Sequence, residues 1–93
     1  MIDKTEEEIR KGEDAQRILE SPVYKEALEG VRKGIVNAMA DRPMGDDKTH
    51  NRLVIALQLL NQIDRNLTTV MQTGKMAVMQ VEGNVVHQLR GIA

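Results

Sequence analysis

The stretch LVIALQLLNQIDRNLTTVMQTGKMAVMQV, residues 53–81, decides the fold of this chain. Its small and apolar residues form a stripe that repeats every seven residues, as in coiled-coil seams. One row of the stripe is Leu53, Leu60, Leu67, Gly74 and Val81, and the row beside it is Ala56, Ile63, Val70 and Ala77. The stripe is widened by Leu57, Met71 and Val78. Asp64 is its only charged member. This pattern is typical of a core-facing helix, because a β-strand could not bury it on one side. A helix over about residues 47–82 would be roughly 54 Å long, so we expect part of its stripe to need a further partner.

Capping residues predict two shorter helices before the long one. Thr5-Glu6-Glu7-Glu8 is a capping-box pattern, which predicts a first helix over about residues 5–20. Within it, Gly12 indicates the close approach of another backbone or else a weak helix. Ser21-Pro22 is an N-cap followed by proline at the first helical position, which predicts a second helix over about residues 22–40. Gly30 and Gly34 lie off its apolar stripe and would let a second neighbour approach.

The segment Arg42-Pro43-Met44-Gly45-Asp46 is the clearest turn, because proline disfavours helix before it and glycine permits a tight bend. Asp46 or Asp47 then caps the long helix. We expect this helix to continue through Gly74 with at most a bend, since apolar residues resume in phase beyond it. It is expected to end at about residue 82, before a C-terminal arm over residues 83–93 that follows Gly83.

The fold class is therefore all-α: a three-helix antiparallel hairpin or bundle in a single domain, with one long C-terminal helix. Two arrangements are open. Either both short helices lie along the long one, with its methionines as ordinary core, or they cover its first half and leave Met71 to Val81 for another subunit. We favour the second arrangement.

Composition narrows the class of protein. Tyr24 is the only aromatic residue of the 93, which suits close-packed helices and removes the usual stacking platforms for bases or sugars. Cysteine is absent, which excludes a disulfide framework and a thiolate zinc site. The longest apolar runs are a few residues, so we expect neither a signal peptide nor a membrane span.

No residue pattern points to catalysis, a metal or a cofactor. His50 and His87 are far apart, and capping already explains Asp46 and Asp47 beside the first of them. P-loop, dinucleotide-binding and zinc-protease motifs are missing from the sequence. We expect Asp64, on the flank of the long stripe, to reach solvent or to pair with a neighbouring cation rather than to be fully buried.

A small basic group, Arg42, Lys48 and Arg52, is the candidate anion-binding site. Lys48 and Arg52 are one turn apart at the start of the long helix, where a phosphate or a nucleic-acid backbone could bind. Acidic residues at 41, 46 and 47 would cancel much of the positive electrostatic potential of this group, so a solvated surface is the favoured interpretation. Nucleic-acid binding would instead predict an affinity that falls steeply with salt and is lost in Lys48→Glu/Arg52→Glu.

The second half of the long helix is the candidate protein interface. Methionine is an adaptable residue that is common on helix-binding surfaces. The interface predicted from the stripe and its methionines comprises Leu60, Leu67, Met71, Met76, Val78, Met79 and Val81. We expect this surface to form a homo-oligomer or to bind another protein.

Two packing motifs resemble a family of small helical proteins encoded in tailed-bacteriophage genomes. The first is Gly12-x-x-Ala15-x-x-Ile18-Leu19-x-x-Pro22, followed by Ala27-Leu28. The second comprises Leu53, Leu57, Leu60, Arg65, Leu67, Val70 and Thr73-Gly74-Lys75. The similarity spans about residues 10–80 and carries no catalytic signature. Relatives tend to have an aromatic residue near the start of the long helix, where this chain has Leu53-Val54.

The resemblance implies a place among DNA-packaging and virion-assembly proteins. The expected function is that of a non-enzymatic, oligomeric phage accessory protein that presents a helical protein-binding face, in the host cytoplasm or the virion. The alternatives are a phage regulator or anti-defence inhibitor, which binds a host protein or a nucleotide signal, and a weak binder of the nucleic-acid backbone. An assembly protein should be found in purified particles or their precursors. An inhibitor should be absent there and should protect phage in a defended host.

Overall fold

The computed structural model describes residues 4–92, with side chains described up to residue 85. The chain forms three α-helices: α1 (Lys4–Glu20), α2 (Pro22–Ala40) and α3 (Asp47–Ile92). This confirms the all-α class and the long C-terminal helix. Within residues 4–92 no helix is long and apolar enough to cross a membrane.

The predicted boundary between α1 and α2 is confirmed. Ser21 has extended backbone angles, φ −67° and ψ 122°, and its hydroxyl oxygen accepts a hydrogen bond from the Tyr24 amide at 3.4 Å. Pro22 follows at the first helical position, where its missing N–H leaves no intrahelical bond unmade. At the other end of α1 the helix begins at Lys4, so Thr5 lies inside it and is not its N-cap.

The turn between α2 and α3 also follows the prediction. Asp41 is the C-cap of α2, and its amide donates to the Asn37 carbonyl at 3.1 Å. Gly45 has φ 96°, a left-handed conformation that glycine adopts without strain. The Asp46 carboxylate then accepts a hydrogen bond from the Thr49 amide at 3.3 Å, which caps the start of α3.

α3 is longer than predicted. It passes through Gly74, as expected, but it does not end at about residue 82: it continues over 46 residues to Ile92. The predicted arm over 83–93 is therefore wrong as far as residue 92, and residue 93 lies outside the described residues. The reason is that Gly83 keeps a helical backbone; among the described residues, Gly45 alone has a positive φ of the kind that ends a helix at glycine.

The chain divides into two compact units, and each contains part of α3. The crossing unit pairs α1, up to Ile18, with α3 from Leu67 onward, whereas the hairpin unit comprises residues 19–66. The favoured arrangement, in which both short helices cover the first half of α3, is therefore wrong. α1 packs on the second half instead, because two glycines let the helices approach there.

The contact in the crossing unit is made by backbone atoms. A Cβ atom added to Gly74 would lie 2.8 Å from the Gly12 Cα and 2.9 Å from the Glu8 carbonyl oxygen. Both glycines are buried, and each is followed three residues later by a buried alanine, Ala15 or Ala77. Small residues on both helices thus permit an approach that any side chain at position 12 or 74 would prevent.

The hairpin unit is held mainly by side chains. α2 and the first part of α3 run antiparallel, as shown by contacts of Tyr24 with Asp64 and of Arg32 with Asn61. Leu60 packs between the helices and is only 8% exposed, but α2 contributes no fully buried residue of its own. A pair of helices can bury one stripe on each partner, so the remaining apolar residues of this unit stay at the surface.

Candidate protein-binding surfaces

The residues predicted to form one interface on α3 have different environments. Leu60 is buried within the chain, and Leu67, Met71 and Val78 are half-buried. The remaining three are exposed: Met76, Met79 and Val81. Only these three retain enough accessible surface to be the centre of a contact with another molecule.

The stripe on the second half of α3 faces α1 near Gly74. Met71, Gly74 and Val78 line a small cleft together with residues of α1 that include Ile9. Val81 continues the same side of α3 by helical periodicity, and 43% of it is exposed. The prediction that this stretch lacks a partner within the chain is therefore wrong from Met71 to Val78, because α1 supplies that partner.

Met76 and Met79 lie on the opposite side of α3 and form the first candidate surface, which we call the methionine surface. They are 67% and 69% exposed, and they line a shallow depression together with Gln80. Helical periodicity places Gln72, Thr73 and Gly83 beside them, with the charged residues Lys75 and Glu82 on the edge next to Met79. An apolar centre with a polar border is the composition typical of a protein-binding patch.

Polar contacts define one side of the hairpin unit. The Tyr24 hydroxyl donates to the Asp64 carboxylate at 3.0 Å, and the Arg32 guanidinium donates to the Asn61 side-chain oxygen at 3.2 Å. Arg32 also lies 3.9 Å from Asp64. Asp64 is half-exposed and paired, as the sequence predicted. Partial burial, together with the hydrogen bond to Asp64, raises the pKa of Tyr24 above its ordinary value.

The other side of the hairpin unit is apolar and is the second candidate surface. Each residue advances about 100° around a helix, so Gly34 lies opposite Arg32 on α2, and Leu59 and Ile63 lie opposite Asn61 on α3. We call this surface the hairpin face; it consists of Ala27, Gly30, Val31 and Gly34 from α2 and Ile55, Leu59 and Ile63 from α3, all exposed. Leu59, near its centre, is 64% exposed.

Sequence reasoning missed the hairpin face as a site. The spacing of four in Ile55-Leu59-Ile63 was the available signal, but α3 is apolar over so much of its circumference that the pattern did not show which side α2 covers. Gly30 and Gly34 gave the other signal. The expected second neighbour does not come from within the described residues, where nothing lies within 4 Å of a Cβ added to either glycine.

The predicted anion site is not assembled in the hairpin unit. Arg42 lines a concavity at the turn together with Asp46, Asp47 and His50, whereas Lys48 and Arg52 do not contribute to it. The Asp46 carboxylate already occupies the start of α3, where an anion would bind. Among the side chains of residues 4–85, no cluster of three or more histidine, aspartate or glutamate residues could hold a metal ion.

Comparisons with known proteins add no further constraint. No protein-family model matches the chain, and neither the curated proteins nor the solved structures gave a match. The functional interpretation therefore depends on the two surfaces described above.

Proposed function

We propose that this chain is a non-enzymatic helical protein that binds a partner protein through the methionine surface of α3. The observation that carries the proposal is the exposure of Met76 and Met79, about two thirds each, on a side of α3 that α1 does not cover. Exposed apolar residues that cluster on one side of a helix are typical of interaction sites, whereas scattered ones are ordinary.

The chemistry of the methionine surface favours a protein partner. Methionine has a flexible, polarizable side chain that adapts to the shape of an apolar partner. Gln72, Thr73 and Gln80 beside the methionines carry no charge, and the charged residues on the edge, Lys75 and Glu82, are of opposite sign. This surface therefore suits an apolar protein segment, such as the apolar face of a helix, better than it suits a phosphate or a nucleic acid.

The proposed setting is the assembly of a phage particle or the packaging of its DNA. This part of the proposal is supported by the resemblance of residues 10–80 to small proteins of tailed phages. On this hypothesis the chain acts in the host cytoplasm or remains in the virion, and the methionine surface binds another component of the assembling particle.

The test is incorporation into particles. Particles and their precursors would be purified from cells that produce the phage and its chain, and the chain would be quantified by mass spectrometry. We expect the wild type and Met44→Glu to be incorporated equally, and Met76→Glu/Met79→Glu to be depleted at least tenfold. The control makes the same exchange at Met44, a fully exposed methionine of the turn that lies outside the methionine surface.

Circular dichroism must show the same helicity for the three proteins, which is expected because all three positions are exposed. Absence of the wild-type chain from particles and precursors would refute the assembly role. Equal incorporation of the methionine variant would refute the methionine surface as the binding site.

A further inference from the structure

The hairpin face combines a ridge and a groove on one side of the same unit. Ile55, Leu59 and Ile63 are four residues apart and form a ridge of large side chains along α3. Beside them, α2 presents Gly30 and Gly34, and a Cβ added to either would meet no atom within 4 Å. Ridges of one helix pack into grooves of another, so the hairpin face carries both halves of a helix contact.

We propose that a second copy of this chain covers the hairpin face, so that two hairpin units form a four-helix bundle. A two-fold axis parallel to the helices would place the ridge of each α3 against the glycine groove of the other copy's α2. The same patch serves both copies, as an isologous interface requires. This inference goes beyond the proposed function, since it uses different residues and a different partner.

Charge complementarity at the turn supports this orientation. A two-fold axis parallel to the helices brings the two turns to the same end of the bundle. The C-terminus of each α2, with Asp41, then lies beside the N-terminus of the other copy's α3, with Lys48 and Arg52. All three side chains are exposed, so they are available to pair across the two edges of the interface.

The side of the hairpin unit that carries the hairpin face is large enough for a dimer. The hairpin face is the apolar centre of this side, which runs along all 19 residues of α2 and is about 28 Å long at 1.5 Å per residue. Two helices whose axes are about 8–10 Å apart form a face roughly 18 Å wide. Each copy thus contributes on the order of 500 Å², and a pair reaches the approximately 1,000 Å² that a specific interface requires.

The first experiment measures the mass of the full chain by sedimentation equilibrium over a range of concentrations. We expect the 10.4 kDa chain to be dimeric at tens of micromolar. Leu59→Glu should raise the dissociation constant at least tenfold, because it places a charge in the centre of the interface. Val36→Glu is the matched control: Val36 is also exposed, but it lies on α2 outside the hairpin face, and this variant should dimerise like the wild type.

The second experiment tests the orientation by exchanging charges. Asp41→Lys and Lys48→Asp should each weaken the dimer, and the double variant Asp41→Lys/Lys48→Asp should restore at least part of the affinity. Helicity and melting temperature at concentrations below dimerisation would confirm that each variant is folded. Restoration is the result expected of an antiparallel contact of α2 with the other copy's α3.

A wild-type chain that remains monomeric at 100 micromolar would overturn the proposal. So would a dimer that Leu59→Glu leaves intact, or one that Met76→Glu/Met79→Glu abolishes while Leu59→Glu does not. Failure of the charge exchange to restore affinity would overturn the parallel two-fold arrangement. None of these outcomes depends on incorporation into particles, so the two proposals can fail separately.

Discussion

The crossing unit and the hairpin unit use the same helix, α3, in different ways. In the crossing unit, two glycines bring backbones together, and the alanines that follow them are almost fully buried, with Ala77 only 2% exposed. In the hairpin unit, Tyr24 and Arg32 reach across to Asp64 and Asn61 through polar side chains. Backbone contact leaves no room for variation at positions 12 and 74, whereas long polar side chains tolerate a wider separation of the helices.

This difference decides which surfaces remain for function. In the hairpin unit the polar contacts occupy one side, and the apolar side is left exposed. In the crossing unit α1 covers the stripe around Gly74, so the exposed methionines lie on the opposite side of α3. A long helix that packs against two different short helices can therefore present two separate apolar surfaces.

The largest expected effect tests the glycine contact. Gly74→Val should lower the free energy of unfolding by about 3 kcal/mol, since its Cβ would lie under 3 Å from the Gly12 Cα and the helices would have to separate. Gly83→Val, in the same helix but with open space around it, should change stability by only a few tenths of a kcal/mol. Chemical denaturation provides the measurement. Equal losses in the two variants would contradict the close contact of Gly12 with Gly74 as the cause.

The next effect concerns the polar contact of the hairpin unit. Tyr24→Phe removes the hydroxyl that donates to Asp64 and should cost about 1 kcal/mol. Ser21, the N-cap of α2, would be unaffected, so the helix should keep its start. Thermal melting of both proteins at neutral pH measures the loss. A variant as stable as the wild type would mean that water replaces the tyrosine hydroxyl without cost.

Local signals made most of the helices predictable from the sequence. Ser21-Pro22 and Gly45 define their boundaries through backbone conformations that depend on a few neighbouring residues. Continuation through Gly74 followed from the phase of the stripe. The position of α1 was not predictable, because Gly12 and Gly74 are each only a weak local signal, and their meaning arises when the two are paired in space.

The candidate surfaces were predictable only in part. Met76 and Met79 were chosen from the sequence and are exposed, but Leu60 was chosen by the same reasoning and is buried. Periodicity shows that a wide part of the helix surface is apolar. Which part of that surface is buried depends on where the partner helix packs. The hairpin face could not be located from the sequence. The contact between Arg32 and Asn61 shows which side of the hairpin unit is polar, and the hairpin face is the side that faces away from this contact.

A smaller change in stability is expected when glycines of the two units are replaced by alanine. Gly34→Ala should stabilise the chain by about 0.5–1 kcal/mol, because alanine favours helix and nothing lies within 4 Å of the added Cβ. The measurement is made by denaturation at sub-micromolar concentration, where association does not contribute. The same substitution at Gly12 should be destabilising, since its Cβ would lie 2.8 Å from the Gly74 Cα. The same sign at both positions would contradict the difference between the two units.

The smallest expected effect is the dependence of stability on alkaline pH. Partial burial and the neighbouring Asp64 raise the pKa of Tyr24 above its ordinary value of 10.0, so the unfolded chain loses the tyrosine proton first. Stability from this group is complete below pH 10 and falls as the pH rises through the folded-state pKa. Titration of tyrosinate absorbance reports this residue alone, since the chain has one tyrosine. We expect its midpoint to fall towards 10.0 in Asp64→Asn, because the amide removes the charge that opposes ionisation; an unchanged midpoint would leave burial as the only cause.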